Sequence, residues 1–286
     1  MVKWYGNLAD NIAGVPHLND APPWNCSNPP PEAQLENLGS MYNSYGNLPF
    51  PGTFKNYEKN ENLAELIEGK TVAFVGPSAH LIGLGLGEYI ESHDIVVRVN
   101  QTVEIPSHRW NDYGSRTDVL ASNLNGPSVS ALQNNIGWVR SLKHIFCAGP
   151  SMWDRDKFGA IANSWGVPWH NVCDGYLFKA YKEIGTTSST GLSAMIVLMN
   201  YDVEHLYITG NSFYNFGKCG VVYYTEFDTP EMMSKVNGQD TYAYRHDIHA
   251  IEPQLNFFDR MLQVHYPHKL KVDGLLEQYF IKREAK

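Results

Sequence analysis

Residues 93–118 constrain this chain more than any other stretch. They run His-Asp-Ile-Val-Val-Arg-Val-Asn-Gln over 93–101 and, after an interval, Tyr-Gly-Ser-Arg-Thr-Asp over 113–118. An apolar strand, an asparagine and a Gly-Ser-Arg-Thr-Asp turn follow one another just downstream of a strand-Gly-helix unit. That order suits a nucleotide pocket at the carboxyl edge of a parallel sheet.

The rest of the chain extends the alternation. Short apolar runs are predicted as strands at Thr71–Val75, Asp94–Val99, Asp118–Ser122, His144–Cys147 and His205–Thr209. Helical patterns are predicted at Asn62–Glu68, Ser128–Leu142, Asp154–Ser164, Gly175–Glu183, Leu192–Met199 and Pro253–Val264. Strands alternating with helices predict an α/β fold, a Rossmann-like parallel sheet with helices on both faces. Residues 1–60 differ: they hold eight of the sixteen prolines, with Trp4, Tyr5, Trp24, Tyr42, Tyr45, Phe50 and Phe54. Such composition disfavours regular structure, and the aromatics favour packing onto the body. The expected organisation is an irregular Pro/aromatic-rich N-terminal arm over 1–60 and a single α/β domain over 61–286, which the resemblance described below implies to be a nucleotide-sugar-binding catalytic domain.

Net charge is −8, which argues against nucleic acid as the main partner, because phosphate backbones are bound by basic stripes. A small anion can still be held locally by backbone N–H groups and hydroxyls. Seventeen Tyr and seven Trp suit stacking on sugar C–H faces, and equally suit an aromatic core. Cys26, Cys147, Cys173 and Cys219 lie far apart without a CxxC, so neither zinc spacing nor a disulfide framework is expected. Cys147 and Cys173 sit in apolar context and are expected as buried thiols. No apolar run is long enough to span a bilayer, and the first residues lack a signal-peptide core. The chain is expected to be soluble as given and cytoplasmic; an anchor trimmed from it would leave no trace. Two sequons, at Asn25 and Asn100, are not expected to be used.

Several clusters can carry chemistry, each with a structural alternative. Gly76 lets the backbone turn after the first strand and approach a ligand, and Ser78 can bond a phosphate or cap a helix. The turn lacks GxGxxG, and the Gly83-to-Gly87 run matches neither that fingerprint nor a P-loop. Arg98 and Asn100 end the second strand at the ligand edge; Asn100 can read a pyrimidine or ribose, or simply end the strand. The turn over Ser188, Ser189, Thr190 and Gly191 joins hydroxyls to free N–H groups at a helix start, an anion site or a plain cap. Tyr214, Tyr223 and Tyr224 can donate to a leaving phosphate or pack as an aromatic loop. His246 and His249, within His-Asp-Ile-His-Ala-Ile-Glu, offer a general base for a sugar hydroxyl, or structural imidazoles. Metal binding there lacks an evident third ligand. Asp154 and Asp156 form a DxD, which carries a divalent metal in many sugar-nucleotide transferases and also suits capping.

Taken together, these pieces resemble sialyltransferases. Val72–Asn123 is similar to the large sialyl motif of glycosyltransferase family 29. That motif reads here as Glu88 through Asn100 (Glu-Tyr-Ile-Glu-Ser-His-Asp-Ile-Val-Val-Arg-Val-Asn), then Gly114-Ser-Arg-Thr-Asp118. Ser189 through Gly210 resembles the small motif, Tyr223-Tyr224 the third, and His246 to Glu252 the last. The order agrees across roughly residues 70–265. Gly210-Asn-Ser-Phe-Tyr214 and Asp247 to Glu252 also look like bacterial family 42 sialyltransferases. The resemblance implies a GT-A-like sialyltransferase variant of the Rossmann-like fold. It implies an inverting, metal-independent transfer of sialic acid, or a related nonulosonic acid, from a CMP-sugar to a glycan or glycolipid hydroxyl, with no cofactor. By position, it implies donor binding by Gly76, Ser78, Asn100, Ser189, Thr190 and Gly191. It assigns the departing phosphate to Tyr214 and one of Tyr223 and Tyr224, and the base to His246, with His249 in reserve.

The chain departs from family 29 at named places. Pro77 stands where the family has Asn after the first Gly, and Val222 where the third motif has His. Thr71-Val72 and the Thr186–Ser188 cluster stand where the family's cysteine pair would be, which favours a reducing compartment. The family spaces His five residues before Glu, whereas His246 lies six before Glu252 and His249 three before. These departures keep alternatives open: a non-catalytic nucleotide- or glycan-binding protein on the same fold, a CMP-Kdo-using transferase, or a metal-dependent transferase using Asp154 and Asp156.

Overall fold

The computed structural model describes residues 59–78, 81–100, 104–124, 126–149, 155–172, 174–211, 213 and 251–280. Seven strands form one sheet: β1 (Thr71–Val75), β2 (Ile95–Val99), β3 (Val119–Ser122), β4 (His144–Cys147), β5 (Trp169–Asn171), β6 (His205–Thr209) and β7 (Leu270–Val272). Their order is β5-β4-β3-β2-β1-β6-β7, and every neighbouring pair is parallel. A parallel sheet must be covered on both faces, which is why β2 (Ile-Val-Val-Arg-Val) is buried along its whole length.

Alternate residues of each strand feed different cores. On one face, Val72 and Phe74, Val97 and Val99, Leu206 and Ile208 pack with α1 (Glu61–Ile67), α7 (Asp174–Ile184), α8 (Thr190–Met199), α9 (Ile251–His265) and α10 (Gly274–Phe280). On the other face, Ala73, Val75, Val96 and Tyr207 meet Ile90 of α2 (Gly87–Glu91) and Tyr113 of α3 (Trp110–Tyr113). Farther along that face, Leu120 and Ile145 pack with α4 (Gly126–Asn134), α5 (Ile136–Val139) and α6 (Arg155–Trp165). The chain steps from β1 to β5 in one direction, then crosses by α7 and α8 to β6 on the far side of β1. Strand order therefore reverses between β1 and β6, and a reversal of this kind opens a crevice at the carboxyl ends of the strands.

The strands at 71–75, 144–147 and 205–209 fall where the apolar runs predict them. The helix expected over Ser128–Leu142 is two helices, broken at Asn135 (φ −128°, ψ 41°). β5, β7, α3 and α10 are additions to the expected set. Cys147 is a buried thiol, as expected.

The Gly-Ser-Arg-Thr-Asp turn does not line the carboxyl edge. Gly114 to Asp118 lead into β3, and Glu91 to Asp94 lead into β2, so both segments brace the amino edge. Glu91 Oε1 accepts from Ser115 N (2.6 Å), Ser115 Oγ (2.7 Å) and Arg116 N (2.9 Å). Arg116 donates to the carbonyls of Asp94 (3.1 Å), Glu91 (2.9 Å) and His93. Asp118 accepts from Val96 N at 2.8 Å and pairs with Arg116 (3.2 Å) and Lys143 (2.9 Å). Arg98, expected beside the ligand, is fully buried and turned back toward this turn. Its Nε donates to Arg116 O and Thr117 Oγ1, both at 3.1 Å, and its Nη2 to Tyr113 O at 2.7 Å. The physical reason is period two: Arg98 points into the face that holds Tyr113, one residue out of phase with the strand's end.

Candidate active site at the sheet's carboxyl edge

The β1 and β6 turns meet back to back. Gly76 N donates to Thr209 O (2.8 Å) and Ser78 N to Gly210 O (2.9 Å). A β-carbon on Gly76 would lie 2.3 Å from Gly210 O, and one on Gly210 would lie 2.4 Å from Gly76 O. Gly210 also sits at φ 68°, a region that L side chains rarely adopt. What Gly76 lets approach is thus the neighbouring turn. Ser78 is buried, and its carbonyl accepts from Tyr113 Oη at 2.7 Å.

Asp273 fixes the second turn from below. Its Oδ2 accepts from Thr209 Oγ1 (2.9 Å) and Gly210 N (3.1 Å), and its Oδ1 from Leu275 N (3.1 Å) and Leu276 N (3.0 Å). One buried carboxylate thereby caps α10 and holds the end of β6. Beside it, burial raises the Tyr207 phenol well above its ordinary pKa, so it stays protonated at neutral pH.

Asn100 ends β2 in a left-handed conformation (φ 58°), which asparagine tolerates better than most residues. Its N–H donates to Ala121 O at 2.7 Å, and its Oδ1 accepts from Asn123 N at 3.2 Å. Asn123 Oδ1 in turn accepts from Ser128 Oγ at 3.2 Å. An amide pair therefore spans the ends of β2 and β3.

The start of α8 sorts the 188–191 turn into separate roles. Ser188 Oγ lies 2.5 Å from Ser193 Oγ, inside the core. Ser189 is the N-cap: its Oγ accepts from Leu192 N at 3.3 Å. Its own N–H donates to Oε1 of Gln254, a buried residue of α9, at 2.8 Å. Thr190 and Gly191, half-buried, open the helix; first-turn N–H groups have no intrahelical acceptor and sit at the positive end of the dipole. A β-carbon on Gly191 would lie 3.1 Å from Asn211 Nδ2. The structure thus brings Gly76, Gly191 and Asn211 together, places Asn100 at the same sheet edge, and buries Ser78 and Ser189.

Tyr214, Tyr223, Tyr224, His246, His249 and Asp154 lie outside the described residues, as does the arm expected over 1–60, apart from Lys59 and Asn60. The side chains of Asp156 and Glu252 are likewise outside them. Among the described residues no three His, Cys, Asp or Glu side chains form a metal-holding group, and no helix is long and apolar enough to cross a membrane. Asn123, Asn211 and Gln254 escaped sequence reasoning. Asn211 follows the Gly that ends a strand, the same local signal that singled out Gly76; Gln254 gives no local signal.

Residues 37–146 match the model of glycosyltransferase family 29 (sialyltransferase). No curated protein sequence matches significantly. A crystal structure of a mammalian sialyltransferase in complex with Gal-beta-1-3GalNAc-ortho-nitrophenol is similar at 14% identity and TM-score 0.47, covering 95% of this chain and 94% of that one. A second structure of a mammalian sialyltransferase is similar at 14% identity and TM-score 0.43, covering 82% and 84%. Over residues 37–146 of its 286, the chain is similar to glycosyltransferase family 29, the sialyltransferases.

Proposed function

We propose that this chain transfers sialic acid, or a related nonulosonic acid, from a CMP-sugar to a glycan or glycolipid hydroxyl, with inversion and without a metal. The observation that carries the reading is the pairing of the Thr190–Gly191 helix start with the β1/β6 crevice, an anion-binding edge on a chain with a family 29 match. The N–H groups of Thr190 and Gly191 hold the phosphate. Asn100, whose amide oxygen is occupied by Asn123 N, turns an N–H₂ donor to the nucleoside, where cytosine and ribose oxygens accept. Gly76 and Ser78 shape the wall, and Ser189 keeps the turn closed. In this reading His246, with His249 in reserve, deprotonates the acceptor, and Tyr214 with Tyr223 or Tyr224 donates to the departing phosphate.

Calorimetry against CMP, UDP, GDP and NAD tests the nucleotide, with CMP binding preferred. Incubation with CMP-sialic acid or CMP-Kdo and oligosaccharide acceptors in EDTA tests the reaction. Transfer that persists in EDTA supports the metal-free mechanism; transfer abolished by EDTA and restored by a divalent cation overturns it. Preference for a purine dinucleotide overturns the whole reading. Tight CMP binding with neither transfer nor donor hydrolysis selects the non-catalytic alternative, which Pro77 and Val222 favour.

A further inference from the structure

We propose that Asn211 is a phosphate-binding residue of this site, supplying a side-chain N–H where the facing β1 turn has none. The inference rests on the nucleotide reading above and adds a residue to it.

Three observations converge on Asn211. Its backbone is delivered to the crevice by the paired glycine turns: a β-carbon on Gly76 would lie 3.3 Å from Asn211 N. Its Oδ1 is committed, accepting from Phe213 N at 3.1 Å. That bond fixes the amide plane, so the N–H₂ end faces the other way. There Nδ2 lies 3.1 Å from where a Gly191 β-carbon would be, above the second residue of α8. Gly191 has ordinary helical backbone, so nothing conformational demands glycine there; the space is needed for the Asn211 amide. The donor end of a half-buried side chain therefore lies beside Gly191, in the first turn of α8.

The partner turn explains why a side chain is used. The residue after Gly76 is Pro77, which has no N–H to give. The residue after Gly210 is Asn211, and the two turns are back to back. The crevice thus draws its donors from the β6 side and from α8. Neutral donors beside a helix start suit a phosphate oxygen, and they would leave the nucleoside to other groups, Asn100 among them.

Asn211→Asp separates this role from folding. It keeps the oxygen that accepts from Phe213 N and replaces only the donor end by a carboxylate oxygen, a charge that a helix start tolerates. Calorimetry with CMP and with cytidine, which lacks phosphate, is run on the wild type, Asn211→Asp and Asn211→Ala. Each variant's fold is checked by circular dichroism. Loss of one hydrogen bond to a charged group predicts a CMP affinity roughly tenfold or more weaker in Asn211→Ala. A larger loss is expected in Asn211→Asp, with cytidine affinity unchanged in both. Unchanged CMP affinity in folded Asn211→Asp, or an equal loss for CMP and cytidine, overturns the role of Asn211 while leaving the nucleotide reading intact. Wild-type protein that binds neither compound overturns both.

Discussion

Ser189 and Gln254, sixty-five residues apart in sequence, are joined by one buried hydrogen bond: the Ser189 N–H donates to Gln254 Oε1 at 2.8 Å. Gln254 lies in the first turns of α9, so this bond ties the segment that follows His246 and His249 to the start of α8. Gln254→Ala strands a buried donor and is expected to cost about 1–3 kcal/mol. Urea unfolding measures it. Gln254→Glu keeps the acceptor and should recover most of that loss, and CMP affinity should follow the same order.

Gly76 and Gly210 leave no room for side chains. Gly210→Ala combines a left-handed backbone, about 1–2 kcal/mol, with overpacking of about 1–3 kcal/mol. Gly76→Ala suffers mainly the overpacking. Both are expected to lower the melting temperature, Gly210→Ala more, and thermal scanning of the purified variants checks the ranking. Equal melting temperatures for wild type and Gly76→Ala would contradict the back-to-back packing.

Arg98 serves the fold. Arg98→Leu removes the donor from the Tyr113 and Arg116 carbonyls and from the Thr117 hydroxyl. A loss of about 3 kcal/mol or more follows from stranding these buried acceptors. Chemical denaturation reads that loss, and the folded fraction should bind CMP as the wild type does. A variant of wild-type stability that has lost CMP binding would return Arg98 to the ligand site.

Acid should weaken the fold through His144 and His170, whose Nε2 and Nδ1 lie 2.7 Å apart between β4 and β5. Burial drives His144 down to about 4; burial, then the neighbouring His144, drives His170 down to about 3. Both imidazoles are neutral when folded, while an unfolded chain protonates them near pH 6.5. Stability they support is present above that pH and is lost as pH falls toward the folded values, at up to about 1.4 kcal/mol per pH unit for each proton. Melting temperature measured from pH 7 to pH 4 should fall accordingly. Replacing His144 and His170 together by Phe and Leu should flatten the slope.

Sequence reading succeeded where burial is continuous. Val-Ala-Phe-Val and His-Ile-Phe-Cys are apolar because both faces of a parallel sheet are covered, so strand limits follow from composition. It failed for Trp169-His-Asn171 and Leu270-Lys-Val272, three-residue edge strands that are half-buried and show no period. The single helix expected over 128–142 hid the Asn135 break, because propensity does not report one distorted residue. At the site, the Ser189 cap was legible because capping is local. Gln254 and Asn211 were not, since their partners are set by how α9 and the β6 turn dock. Arg98 misled for the opposite reason: its place at a strand's end was legible, while the direction of its side chain depended on phase.

The amino-edge brace of Glu91, Arg116 and Asp118 stands a full strand length from the β1/β6 crevice. Substitutions at one end of the sheet can therefore leave the other end untouched. A change at Gly191 or Asn211 alters that rim and still leaves the Gly-Ser-Arg-Thr-Asp turn intact. An intact turn reports a well-formed sheet; binding has to be judged at the opposite rim.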